Sequence, residues 1–192
     1  MVEIAMRAEV SPATLYNLFE TKAAIFLEVF DRDVEQFTRK VLAARASGAV
    51  DRIFVAIDIA AALYRRNPKF YRAMAHAGDT PLNRAISGPR RAFWQNAVAN
   101  AVAAGELRAS TNAQLLGGLL MQIMRGHFLD WAAGAISVDR LAKETAYGFA
   151  LALSSYATEG RAAEAAKRLA ALEALLTSSV GKRKKHGGMD AL

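Results

Sequence analysis

Residues 4–30 read IAMRAEVSPATLYNLFETKAAIFLEVF, and their pattern decides the fold more than any other stretch. Ser11 offers a side-chain oxygen that caps a helix, and Pro12 at the first helical position gives up no hydrogen bond there. Residues 2–8 read as a short helix, Ala8-Glu9-Val10 as a turn, and Pro12 to about Leu18 as a second helix. Thr21 caps a third, which continues through Ile25, Val29, Phe37 and Val41 to about Arg45. Ile4, Ala5, Val10, Leu15, Leu18 and Phe19 are spaced to pack the first two helices together. That leaves Pro12, Ala13, Thr14, Tyr16 and Asn17 on the outer side of the second. Two short helices joined by a tight turn form a helix-turn-helix pattern. Hydroxyls, amides and backbone N–H groups at the start of the second helix suit phosphates and base edges in a DNA major groove.

Outward from this stretch the periodicity stays helical. Gly48 breaks the chain, and residues 50–66 follow with Ile53, Ile57, Ala60 and Tyr64 on one face, ending at Asn67-Pro68. Residues 68–77 form a short helix closed by Gly78, and 81–104 a long one bent near Gly88-Pro89. After a loop at Gly105-Glu106-Leu107 come helices over 112–133, 138–156 and 161–176, the last with Ala165, Leu169, Leu172 and Leu176 on one side. From there the chain turns polar and then basic, through Lys182-Arg183-Lys184-Lys185. The fold class is therefore all-α: an N-terminal helix-turn-helix head over residues 1–45, a helical-bundle domain over 46–177, and a disordered basic tail over 178–192.

Composition narrows the functional classes. The 192 residues are 53% hydrophobic and contain no cysteine, which excludes a disulfide scaffold, a thiolate metal site and a cysteine nucleophile. The longest uncharged stretch, Ala109–Met124, is 16 residues and includes Ser, Thr, Asn and Gln, too short and too polar for a membrane span. No secretory signal is legible at the start, so the expected location is cytoplasmic. The net charge of +7 sits in 65–108 and 161–192, while residues 1–50 carry six basic against seven acidic side chains. The excess charge thus identifies no binding face by itself. His76, His127 and His186 are too widely spaced for a metal motif, and no nucleophile elbow or phosphate-binding glycine loop is present. The expectation is a non-enzyme with no cofactor.

The N-terminal stretch resembles the TetR/AcrR family of bacterial one-component regulators, whose motif reads roughly I-A-x-x-A-G-V-S-x-x-T-L-Y-x-x-F-x-[ST]-K-x-x-L. Ile4, Ala5, Ala8, Val10, Ser11, Thr14, Leu15, Tyr16, Phe19, Thr21 and Lys22 match it. Gly105-Glu106-Leu107 and the ending Trp131…Gly134-Ala135-Ile136 look like the family's C-terminal domain. The resemblance implies that Thr14, Tyr16 and Lys22 hold phosphates while Ser11, Pro12, Ala13 and Asn17 face the bases. Two features depart from the family. Its DNA-binding unit carries a helix before the position of Val2, and Glu9 stands where it has a glycine in the turn. A left-handed backbone at a non-glycine residue costs about 1–2 kcal/mol.

Residues 112–133 carry an apolar stripe too wide for a helix with one buried side, and Gly117, Gly118 and Gly126 inside it call for close helix approach. The resemblance puts a four-helix dimer interface here and on the following helix, with Leu116, Gly117, Leu120, Phe149 and Ala152 as candidates. A purely intrachain core is the other reading. It also implies an effector pocket between the helices. Candidate liners are Tyr64, Phe70, Met74, His76, Phe93, Trp94, Met121, Met124, His127, Phe128 and Trp131, a set suited to an apolar or aromatic small molecule. Each is equally readable as core, and His127 as a hydrogen-bonded core histidine. The expected function is a homodimeric regulator, a repressor released from a palindromic double-stranded DNA operator by that effector. The alternative is a ligand-binding and dimerisation module defective in DNA binding and acting through heterodimers.

Overall fold

Four polar side chains start four helices in the same way. The computed structural model describes residues 1–75 and 81–186. In it Ser11, Thr21, Asn112 and Ser137 each accept a hydrogen bond from the backbone N–H three residues on, at Thr14, Ala24, Leu115 and Arg140. The helices are α1 (Val2–Arg7), α2 (Pro12–Leu18), α3 (Lys22–Ala43), α4 (Ala49–Arg66), α5 (Pro68–Ala75), α6 (Pro81–Ala103), α7 (Ala113–Ala132), α8 (Val138–Ser154) and α9 (Glu159–His186). The protein is all-helical among the described residues, with one isolated antiparallel bridge between Leu107 and Ala157. No helix among them is long and apolar enough to cross a membrane. The long helix expected over 81–104 is found as α6, with Pro89 inside it; one expectation shifts, since α9 runs on to His186, past residue 178 where a disordered tail was expected to begin. His76, Gly78 and residues 187–192 lie outside the described residues.

The core gathers one face each of α3, α4, α6, α7 and α8. Phe30, Ile53, Ile57, Val98, Leu120, Leu141 and Phe149 are almost completely buried in it. Two close approaches fix its geometry. The first is between α6 and α7. A Cβ on Gly117 would sit 2.5 Å from the Cα of Gln95, so only glycine lets the two backbones meet there. The second joins α4 to the loop after α6. The Glu106 carboxylate accepts from Ala49 N–H at 2.7 Å and Val50 N–H at 3.0 Å, capping α4 from more than fifty residues away. A negative group at a helix N-terminus also complements the helix dipole. Gly48 makes room for that carboxylate, since a Cβ there would lie 2.4 Å from Glu106 Oε1. Arg161 on α9 lies 4.0 Å from the same carboxylate, and Arg168 pairs with Asp51 on α4 at 3.1 Å, which seats α9 on the bundle.

Leu116, Gly117, Leu120 and Phe149, expected at a subunit interface, are buried within the chain itself. Ala152 is half-buried against the same core. The apolar stripe of α7 is wide because one part of it packs on α6 and α8. The part left over, Leu115, Leu119 and Leu129 with Gln122 and Gly126 between them, faces outward.

Gly117→Ala is expected to destabilise the fold by about 1–3 kcal/mol, because the clash is with backbone and not with a flexible side chain. Gly160→Ala, where nothing lies within 4 Å of the new Cβ, should leave the melting temperature unchanged or slightly raised. Thermal melts of the two variants side by side check this; equal melting temperatures would refute the close approach.

Candidate functional site

Two parts of the molecule concentrate the residues singled out in the sequence. The first is the α1–α2 pair. Ser11 Oγ receives Thr14 N–H at 3.0 Å and stands 2.8 Å from Thr14 Oγ1, so the hydroxyls at the start of α2 form a local network. Ala5 and Leu15 are buried between the helices. Ser11, Pro12, Ala13, Thr14, Tyr16, Asn17 and Lys22 are all exposed, Tyr16 by 52%. Lys22 is the first residue of α3, one position after the Thr21 cap. The turn between the helices places Glu9 at φ 56°, the single non-glycine residue with positive φ among those described. Its chain reversal is closed by Val10 N–H to Ala5 O at 3.1 Å. Val2, Met6 and Leu18 are exposed by 63%, 69% and 67%, leaving an apolar side uncovered. Among the described residues, no other helix brings its backbone within 8 Å of α1 or α2.

The second part is a cavity of about 70 Å³ inside the bundle. It lies among α3, α4, α5, α6 and α7. Six of the expected liners meet there: Tyr64, Phe93, Trp94, Met121, Met124 and Phe128. Among the described residues, Phe70, Met74, His127 and Trp131 do not line it. Phe70 packs edge-on against Tyr71 with ring centroids 5.0 Å apart. Met74 is buried and takes Arg90 Nη2 on its sulfur at 3.4 Å. Trp131 stacks on Tyr64 at 5.3 Å. His127 turns to α8, where Nδ1 meets Thr145 Oγ1 at 3.1 Å and Nε2 lies 3.9 Å from Glu144, the arrangement of a hydrogen-bonded core histidine.

The cavity also holds charge that the sequence reading missed. Asp33, Arg90 and Arg125 line it together with Val34, Phe37 and Tyr71. Asp33 accepts a hydrogen bond from Tyr71 Oη at 2.7 Å. Burial, with the Asp33 carboxylate beside it, pushes the Tyr71 hydroxyl far above the ordinary phenol range, so it remains a donor. Burial likewise raises Tyr64, with Arg90 opposing and Asp33 reinforcing the shift. The Arg90 guanidinium lies 5.0 Å from the Phe30 ring centre and 5.6 Å from that of Phe128. A signal for these residues was present in the spacing. Arg90 stands three and four positions before Phe93 and Trp94, and Asp33 four before Phe37, so each shares a helix face with a liner.

Chemically the cavity offers an aromatic and thioether wall, two cations, one carboxylate already engaged, and phenols held protonated. Among the described residues no group of three or more His, Asp or Glu is placed to hold a metal ion. Comparison with protein-family models, with curated proteins and with solved structures finds no match to this chain.

Tyr71→Phe removes the hydrogen bond from α5 to Asp33 on α3. The expected loss is about 1–2 kcal/mol, seen as a lower midpoint in chemical denaturation with unchanged slope. An unchanged midpoint would mean that the Asp33 contact contributes nothing.

Proposed function

We propose that this chain is a DNA-binding transcription regulator of the kind its N-terminal motif resembles, a homodimer acting as a repressor that a small effector releases from a palindromic operator. The observation that carries the reading is the outer face of α2. All seven side chains expected to meet DNA are exposed there and at the start of α3, while the apolar partners Ala5 and Leu15 are buried behind them. Such a face supports phosphate contacts from Thr14, Tyr16 and Lys22, with Asn17 and the methyl and ring carbons of Ala13 and Pro12 toward base edges.

A dimer is needed to place two such helices one turn of DNA apart. Leu115, Leu119, Gln122, Gly126 and Leu129 follow a 4-3-4-3 spacing along the exposed side of α7, and Leu151 on α8 is 52% exposed beside the core. An exposed leucine-rich strip of this kind, interrupted by Gln122, favours a twofold contact with a second copy. Effector control follows from the position of α3. Its residues Asp33, Val34 and Phe37 form one wall of the cavity, and its first residue is Lys22. An occupant that bears on this wall biases α3, and with it the spacing of the two α2 helices.

A second reading has its own observation. The uncovered Val2, Met6 and Leu18, with Glu9 in the left-handed region, favour a head that does not grip DNA and a chain that acts through heterodimers. Selection from random duplexes, followed by affinity measurement over a range of salt, separates the two. The regulator shows a steep salt dependence and a large preference for the selected sequence; flat, weak binding supports the second reading.

In the regulator, Tyr16→Phe and Lys22→Ala each weaken binding roughly tenfold across sequences, and Lys22→Ala lowers the salt slope by about one per head. Retention of full affinity in both variants would overturn the phosphate assignment. Replacing Leu115 and Leu119 together by Glu should convert the dimer to a folded monomer in sedimentation velocity, because both side chains are exposed in the single chain.

A further inference from the structure

The cavity inside the bundle has a charge pattern its aromatic walls do not explain. Arg90 comes off α6 into apolar surroundings, and its contacts are the ring faces of Phe30 and Phe128 and the sulfur of Met74. No carboxylate lies within 4 Å of it among the described residues. Arg90 is half-buried among these rings with no anion beside it, and its planar fork fits a carboxylate. Tyr64 lines the same cavity, is 8% exposed, and its hydroxyl makes no hydrogen bond among the described residues. Both groups pack on Phe128, whose ring centre lies 5.1 Å from that of Tyr64. Asp33, the one acid among the described lining residues, already accepts from Tyr71, and Arg125 adds a second cation. The lining is net positive, with unused donors on one side and Phe37, Phe93, Trp94 and Met121 on the other.

Size restricts the occupant further. The cavity is small, about 70 Å³, so the part of an occupant that enters it is compact. Apolar walls disfavour a strongly hydrated phosphate or a polyol. We propose that the cavity binds a short-chain organic monocarboxylate, its carboxylate held by Arg90 and Tyr64 and its hydrocarbon part against the aromatic wall. The proposal rests on the effector site of the regulator reading and names the chemical class that site takes.

The test is calorimetric titration of the free, full-length protein with three isosteric probes: butanoate, neutral butanamide and cationic butylammonium, with chloride as the anion control. Butanoate should bind roughly tenfold or more tightly than butanamide, and butylammonium not at all, since only the anion engages Arg90. Arg90→Met should weaken butanoate roughly tenfold and leave butanamide unaffected, and Tyr64→Phe should weaken butanoate about threefold. Thermal melts establish that both variants fold, and the comparison of probes on the unaltered chain stands even where a variant does not. Equal affinity for butanoate and butanamide, preference for butylammonium, binding of none of the three, or an Arg90→Met variant that still prefers butanoate would each overturn the proposal. The titration contains no DNA, so its failure leaves the regulator reading intact. A chain that binds butanoate yet no selected duplex keeps the carboxylate site and loses the regulator.

Discussion

The contact of Gly117 with the backbone of Gln95 is the constraint on which the interior depends. Helices normally pack 8–10 Å apart, the distance set by the side chains between them. With none at Gly117, α7 comes down onto α6 at that point. Phe93 and Trp94 on α6 and Met121, Met124 and Phe128 on α7 then face one another across a gap that their side chains almost fill. A bulkier residue at 117 would act on the bundle and on the cavity together.

A second tie works at the other end. Glu106 fixes the start of α4, and α4 in turn supports α3 through Phe30 and Val41, which share its core with Ile53 and Ile57. Arg52 on α4 adds hydrogen bonds to the carbonyls of Val41, Leu42 and Ala44 at the end of α3. The C-terminal end of α3 is thus anchored firmly. Its middle meets the cavity, and its beginning carries Lys22. Toward its start, Phe26 and Leu27 also pack against the core, and Phe26 meets Phe70 of α5 with ring centroids 6.3 Å apart.

Much of this was legible in the sequence, for a local reason. Ser11-Pro12, Thr21, Asn112 and Ser137 announce helix starts because the capping bond lies within three residues of its origin. The turn at Glu9 was legible for a related reason: the expected left-handed backbone is observed. What failed was sidedness. Leu116 and Leu115 are adjacent, both apolar, and on different faces; no periodicity says which faces the chain's own core when the stripe exceeds half the circumference. Leu116 is buried and Leu115 is 74% exposed, so the expected interface lay one residue round the helix from the open face. The charged liners were missed for the opposite reason. Arg90 and Asp33 read as polar punctuation of apolar faces, and only the tertiary packing turns those faces toward one cavity. The length of α9 was missed because Thr177 and Ser178 suggest an end, whereas the helix continues through both, their hydroxyls bonding back to carbonyls of the preceding turn.

The isolation of α1 and α2 from the other helices has a dynamic consequence. A unit held mainly by Ala5 and Leu15, with a left-handed glutamate in its turn, has little to lose by opening. Local fraying of this unit would leave α3 to α8 folded, so its amide protons are expected to exchange at rates insensitive to the global stability of the bundle. Anything that grips this unit therefore pays to order it, and the strength of that grip becomes a measure of how well the two short helices are held in place beforehand.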